Sequence, residues 1–240
     1  MMPIIKLYNS GMTAGTPPTK NNHIRAKRAE VKGWSTSSTR SNTKFLYSVN
    51  HKGLDGVGYA VNLTVATCPD SELLWKSTRN AFFKRLERLG VIRLHWITEW
   101  QRRGVPHLHC AIWFPPGRKI DYRDRIIKAW LGVAEPYGAG RGGQDVKPIS
   151  DSVGWFKYLS KHASRGLNHY QRNLKELPSG WLTTGRMWGK KGDWPVDEPM
   201  VIDLEPEAYF RYRRIIQGWR IASARAESSP QTRSNRLRAA

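Results

Sequence analysis

The sequence predicts an α+β fold, an antiparallel sheet with its helices mainly on one face. Three observations predict it. Residues 59–66 and 92–100 alternate apolar and polar side chains with the period of two that half-buried strands show, whereas 71–89 and 121–131 carry apolar residues at helical spacing. Turn residues punctuate these segments where chain reversals are needed. From about 58 to 149 the order reads strand, helix, strand, strand, helix, strand, which is the split βαβ (ferredoxin-like, RRM-like) pattern.

Residues 1–44 mix Thr, Ser, Asn, Gly, Pro and basic residues, and 35–41 is almost wholly small and polar, so this stretch reads as a flexible basic N-terminal arm. A central domain is expected over 45–204. Within it Tyr59, Val61, Leu63 and Val65 share one strand face, and a helix follows from Ser71 to Leu89, with Asp70 as N-cap and Gly90 as terminator. Ile92–Trp100, the turn around Arg102-Arg103-Gly104, and His107–Phe114 spell a β-hairpin. Pro115-Pro116-Gly117 breaks the returning strand, and Ile126, Ile127, Trp130 and Leu131 form a helical stripe. Gly138–Gly143 reads as a mobile loop that contacts DNA, because no Gly-Lys-Ser/Thr follows to make a phosphate loop. A short strand at 144–149 precedes a third helix, capped by Ser150 or Asp151 and ended by Gly166. Residues 205–240 read as a basic helix running into a disordered tail.

The charge narrows the partner. The 240 residues carry a formal net charge of +21, and residues 1–44 and 211–240 each hold eight Lys/Arg against a single Glu. Each end is thus +7 and the body between them holds the remaining third, an excess that favours a polyanion, most simply nucleic acid. Two cysteines without C-x-x-C spacing, Cys68 and Cys110, argue against a zinc knuckle or a disulfide framework. With no apolar run of signal or membrane-spanning length, a cytoplasmic chain without a membrane partner is expected. The aromatic Lys/Arg-Gly-Phe/Tyr signature of RNA-recognition modules is missing, and no ATPase or helicase signature fits.

The residues that bear chemistry cluster in two places. His107 and His109 flank Leu108 on one strand and therefore share a face. Two such imidazoles either bind a metal ion or are satisfied by carbonyls and water. If the hairpin pairs symmetrically about 101–105, Glu99 lies opposite His107 on that same face, with His95 as a further candidate. A site of two imidazoles and a carboxylate suits a divalent ion bound to phosphate oxygens, manganese or magnesium, with the imidazoles favouring manganese. Glu99 has an alternative use as a strand-end partner of Arg102 or Arg103. On the third helix, Tyr158 and Lys161 share a face at three-residue spacing. A phenol with a free pKa near ~10 needs a cation, a metal-activated phosphorus, or both, to act as a nucleophile at neutral pH. Such a pair is otherwise a packed tyrosine beside a solvated lysine.

Together these motifs resemble those of HUH endonucleases, named for His-hydrophobe-His, and specifically of the rolling-circle replication initiators of plasmids and filamentous phages. The resemblance spans about residues 58–190 and follows the family order. Ala60-Val61-Asn62-Leu63-Thr64-Val65 comes first, then Arg103-Gly104-Val105-Pro106-His107-Leu108-His109, then Tyr158-Leu159-Ser160-Lys161, and Gly185-Arg186-Met187-Trp188-Gly189 is similar to a phage-type element. The resemblance implies an HUH endonuclease core and a metal held by His107, His109 and Glu99. It also implies attack of Tyr158 on the scissile phosphate, with Lys161 positioning or charge-balancing it. The product would be a covalent 5′-phosphotyrosine and a free 3′ hydroxyl that primes a polymerase. The implied partner is single-stranded DNA at a replication origin, with an adjacent hairpin and the polymerase and helicase of a prokaryotic host.

Some members carry a second tyrosine one helical turn after the first, where this chain has His162, so a single-tyrosine enzyme is expected. Water, another protomer or a tyrosine elsewhere such as Tyr170 then completes the second transfer. Because the tyrosine follows the histidine pair, conjugative relaxases fit poorly, while a single-tyrosine transposase stays open beside the initiator. A non-catalytic single-stranded nucleic-acid-binding module is the alternative from another class. DNA-contact candidates are Thr64, Arg103, Lys157, Arg165 and Arg186, with Arg172 as a further basic residue near the nucleophile. Of the tryptophans, Trp34, Trp100, Trp113, Trp181 and Trp188 either stack bases or fill the core.

Overall fold

The computed structural model describes residues 2–16, 32–117, 120–164 and 169–228, with the side chains of 161–164, 220, 223–224 and 226–228 left aside. Among these residues the elements in chain order are β1 (Ile4–Leu7), β2 (Met12–Gly15), α1 (Thr36–Ser48), β3 (Val57–Thr64), α2 (Glu72–Arg88), β4 (Arg93–Trp100), β5 (Pro106–Phe114), α3 (Arg123–Ala134), β6 (Asp145–Pro148), α4 (Ser152–Ser164), β7 (Trp188–Gly192), β8 (Met200–Asp203) and α5 (Pro206–Ser228). The chain divides into two compact units, Met1–Ile24 with Pro199–Ala240, and Arg25–Glu198.

The second unit is built on a five-stranded sheet in the order β6-β3-β5-β4-β7, with every neighbouring pair antiparallel. Its first four strands have the split βαβ order that the sequence predicts, and β7 adds an edge. Alternation along the strands sorts the side chains. Val61, Leu63, Leu94, Trp96, Leu108, Cys110 and Ile112 face α2 and α3, which contribute buried Trp75, Phe82, Phe83, Leu86, Ile126 and Trp130. Phe83 packs on Trp96 at 5.8 Å between ring centroids, and the Trp130 indole N–H donates to the Thr64 carbonyl at 3.2 Å. The two helices of the βαβ pattern thus cover one face, as predicted, and α1 and α4 pack on the other. There Phe45 stacks on His95 at 5.6 Å and Phe156 meets Trp113 at 5.8 Å.

Several boundaries have clear local causes. Ser71, not Asp70, caps α2, its hydroxyl accepting from the Leu74 N–H at 3.3 Å. Asp151 caps α4, with Oδ1 accepting from the Gly154 N–H at 2.9 Å. In the β4–β5 turn, Gly104 takes φ +77, a left-handed conformation that suits glycine. Residues 138–143 are tied down: Gln144 donates to the carbonyls of Thr64 and Gly140 and accepts from the Thr64 N–H, fastening this loop to the end of β3.

The expected arm over residues 1–44 needs correction. Residues 17–31 lie outside the described ones, but β1 and β2 form strands and α1 begins at Thr36. Trp34 is already core, its indole N–H donating to the Thr98 carbonyl at 3.0 Å. Eight Ser, Thr and Asn residues in α1 cost roughly 0.5 kcal/mol each in helix propensity, which explains the coil-like sequence. Burying Phe45, Leu46 and Val49 returns about 1.5–3 kcal/mol apiece, and the tertiary gain wins. The expected domain limits of 45 and 204 shift accordingly.

The first unit holds a three-stranded antiparallel sheet, β2-β1-β8, with α5. Helix α5 is the predicted basic helix; Pro206 suits its first turn and Tyr209 is buried. Residues 229–240, expected to be a disordered tail, lie outside the described residues. Among the described residues no helix is long and apolar enough to cross a membrane.

Candidate functional site

The hairpin places the histidine pair and its carboxylate. Glu99 pairs with His107 and Ile97 with His109, the register expected from symmetric closure about 101–105. On the other side, β3 sets Thr64 opposite His107 and Asn62 opposite His109. Because cross-strand partners share a face, Thr64, Asn62, His107, His109 and Glu99 all lie on one side of the sheet. The two imidazole centroids are 4.4 Å apart.

Glu99 and His109 are deeply buried, at 2% and 4% exposure, and Glu99 Oε2 lies 3.2 Å from His109 Nε2. His109 Nδ1–H donates to Asn62 Oδ1, and the Asn62 amide donates to Asp145 at 3.4 Å. That bond leaves Nε2 of the neutral ring as an acceptor facing a carboxylate oxygen. Two acceptors at this distance are reconciled by a proton or a metal cation between them. The Gln101 amide nitrogen meets His107 Nδ1 at 3.3 Å. Among the described residues no three His, Cys, Asp or Glu side chains stand at metal-binding distances as placed. The donor types and the facing Glu99–His109 pair nevertheless fit a divalent ion, with His107 alongside.

Helix α4 brings the phenol. Tyr158 is 39% exposed, its ring stacked on Trp155 at 5.0 Å and set edge-on to His109 at 6.0 Å. Tyr158, His107, His109 and Glu99 line one cleft of about 340 Å³, together with Gln101, Arg102, Tyr170 and Gln171. The partly exposed Tyr158 side chain thus stands where a substrate entering the cleft would meet it. Neither thiol competes for such chemistry. Burial pushes the Cys110 thiol far above its ordinary value, and burial with nearby Asp70 raises Cys68 to about 11.

The other candidates divide. Lys157 is exposed on α4; the side chain of Lys161 and the whole of Arg165 lie outside the described residues. Arg103 spends its guanidinium within the protein, donating to Gln101 Oε1 at 2.9 Å and to Thr64 Oγ1, Val65 O and Ala66 O, so it braces the turn against β3. Arg102 lies over the Tyr170 ring, 5.6 Å from its centroid. Arg186 is exposed, while the segment around it is structural: its carbonyl accepts from buried Arg79, Met187 O accepts from Thr98 N–H, and a Cβ on Gly189 would stand 2.9 Å from the Trp96 indole. Arg172 is buried and donates to Thr39 Oγ1, so it is no surface phosphate ligand. Trp34, Trp100, Trp113 and Trp181 are core. His95 shares the face but is fully buried, donating from Nε2 to Asn42 Oδ1 at 2.7 Å. Burial, with Lys190 adding to it, lowers its pKa to about 3, so it is a neutral core histidine set apart from the cleft. Sequence reasoning missed Asn62, Gln101 and Trp155 as supports; the lone amide on an otherwise apolar strand was the available signal for Asn62.

Comparison with known proteins identifies the family. Residues 59–163, which span β3 through α4, match the family of replication-associated protein ORF2/gene 2 protein. A Xylella fastidiosa strain 9a5c protein named as a replication protein is 49% identical over 94% of this chain and 81% of its own length. A second such protein, from strain Temecula1, is 48% identical over 93% and 87%. The replication-associated gene 2 protein of Pseudomonas phage Pf3 is 45% identical over 95% and 83%. No solved structure matches the chain. With identity at this level along nearly the whole sequence, the chain belongs to the replication-associated protein ORF2/gene 2 protein family.

Proposed function

We propose that this protein is a metal-dependent, site-specific single-strand DNA endonuclease and ligase of the HUH class that initiates rolling-circle replication. The observation that carries the reading is that the exposed side chain of Tyr158 lines one cleft with His107, His109 and Glu99. Relatives named for replication favour an initiator over a transposase.

His107, His109 and Glu99 would hold manganese or magnesium, which when bound supplies Lewis-acid polarisation of the phosphoryl oxygens. Asn62 fixes the His109 ring and its proton on Nδ1. Trp155 holds the Tyr158 ring in the cleft. Tyr158 Oη attacks phosphorus, the P–O3′ bond breaks, and the net proton transfer runs from the phenol to the departing 3′ oxygen. The 5′ phosphate ends joined to Tyr158, and the 3′ hydroxyl is free to prime synthesis by a host polymerase. Lys161 contributes positive charge on the same helix, and Lys157, Thr64 and Arg186 contact the strand. The substrate is single-stranded origin DNA beside a hairpin, unwound by a host helicase.

Incubation of the full chain with a single-stranded origin oligonucleotide and manganese is expected to give a denaturation-resistant adduct that Tyr158→Phe abolishes. An adduct that persists in this variant would overturn the nucleophile assignment. His107→Ala and His109→Ala are expected to lose cleavage while retaining oligonucleotide binding. Full cleavage in both would refute the metal site, and binding without cleavage by the wild type would identify a binding module.

A further inference from the structure

The cleft holds two phenols. Position 162, one helical turn beyond Tyr158, is histidine, yet Tyr170 lines the same cleft as Tyr158, His107 and Glu99. Among the described residues these are the tyrosines that line it. The segment bearing Tyr170 is pinned beside the site. The Gln171 carbonyl accepts from the N–H of Trp100, the residue after Glu99, at 2.9 Å, and Asn173 Oδ1 accepts from the Trp34 N–H at 2.8 Å. Arg172 is anchored to Thr39 on α1. The Tyr170 ring stacks on His169 at 4.8 Å and lies under the guanidinium of Arg102, whose turn also carries Gln101, the neighbour of His107. A fixed backbone thus holds a second phenol beside the residues that line the cleft, with the Arg102 cation over its ring, and positioning of this kind is what a second nucleophile needs first.

We propose that Tyr170 is the nucleophile of the second strand transfer, an inference that rests on the nicking chemistry assigned above to Tyr158. Once the first cut has joined a 5′ phosphate to Tyr158, a second origin strand enters the cleft. Tyr170 Oη attacks its scissile phosphorus, the P–O3′ bond breaks, and the phenolic proton leaves with the 3′ oxygen. That new 3′ hydroxyl attacks the phosphorus held on Tyr158, forming a P–O3′ bond and returning the proton and a free phenol to Tyr158. Each step exchanges one phosphate ester for another, so no external energy source or redox partner is involved. The product is a joined strand, and the second 5′ phosphate remains on Tyr170.

The test uses the full chain with manganese at high dilution. A first origin oligonucleotide forms the adduct, and a second, intact and 5′-labelled, is then added. The expected result is a labelled hybrid strand, with the second oligonucleotide's 3′ part found on the Tyr170 peptide by mass spectrometry. In Tyr170→Phe the hybrid formed per adduct is expected to fall at least about 100-fold. Phenylalanine keeps the ring contacts, and the first adduct in the same preparation reports an intact fold. Undiminished hybrid per adduct in Tyr170→Phe, or a second adduct mapped to Tyr158 of another molecule with hybrid rising as the square of protein concentration, would overturn Tyr170 alone. Absence of any first adduct from the wild type would overturn the nicking reading and Tyr170 with it.

Discussion

The two faces of the five-stranded sheet are made by the same strands and do opposite things. Along β5, Leu108, Cys110 and Ile112 are fully buried beneath α2 and α3, whereas His107 and His109 turn to the cleft under α4. The packed face is apolar and holds the fold. The other face buries the Glu99 carboxylate and the His95 and His109 imidazoles, with the Asn42 amide of α1 against them, groups that cost stability unless paired. Asn62 bonds His109 and Asp145, Asn42 bonds His95 and Gln101 meets His107, so the polar groups of this face form a hydrogen-bonded network.

Exchanging the faces at one point should break the molecule most severely. The double substitution Leu108→His with His109→Leu puts an imidazole into the core opposite Leu63 and is expected to lower stability by more than about 4 kcal/mol, measured by urea denaturation. Next, Leu108→Ala leaves a cavity beneath α2 and is expected to cost about 2–5 kcal/mol by the same measurement. On the cleft face the pattern inverts. Glu99→Gln removes a buried charge, so stability is expected to hold within about 1 kcal/mol while manganese-dependent cleavage falls by more than the roughly 100-fold that loss of an outer support causes. A stability loss as large as that of Leu108→Ala would show that the two faces do not differ in this way.

Smaller effects sharpen the contrast. Asn62→Ala frees the His109 ring and is expected to weaken manganese affinity about 10–100-fold, read by titration of cleavage rate against metal. Acid should also find the site face first. His95 titrates near 3 in the fold, because burial and Lys190 oppose its charge, and near 6.5 when unfolded. Between those values the unfolded chain binds a proton that the folded chain refuses, so stability is full above about 6.5 and falls as pH drops. From pH 7 to 5 the loss is on the order of 2 kcal/mol, and His95→Gln is expected to flatten that slope in denaturation at several pH values.

Much of this architecture was legible from side-chain parity and turn residues. The alternation around 59–66, 92–100 and 107–114, with a short turn at 101–105, located three strands and set Glu99 across from His107, because a two-residue period leaves little freedom once one face is apolar. Helix α1 was hidden because its polar residues oppose helix formation locally, and only the burial of Phe45 and Leu46 selects it. Strands β1, β2 and β8 were hidden for a related reason: each has four residues, too short to show a period.

By itself, then, the sequence determined which residues share a strand face, which helix carries Tyr158, and that a basic chain with these motifs resembles a nicking enzyme. The first two follow from local periodicity, and the third is a resemblance carried by the motifs. Tertiary structure alone decided that Asn62 meets His109, that Arg103 braces a turn, that His95 and Arg172 are core, and that Tyr170 reaches the cleft. Each of these depends on contacts between residues far apart in the chain, which no local period encodes.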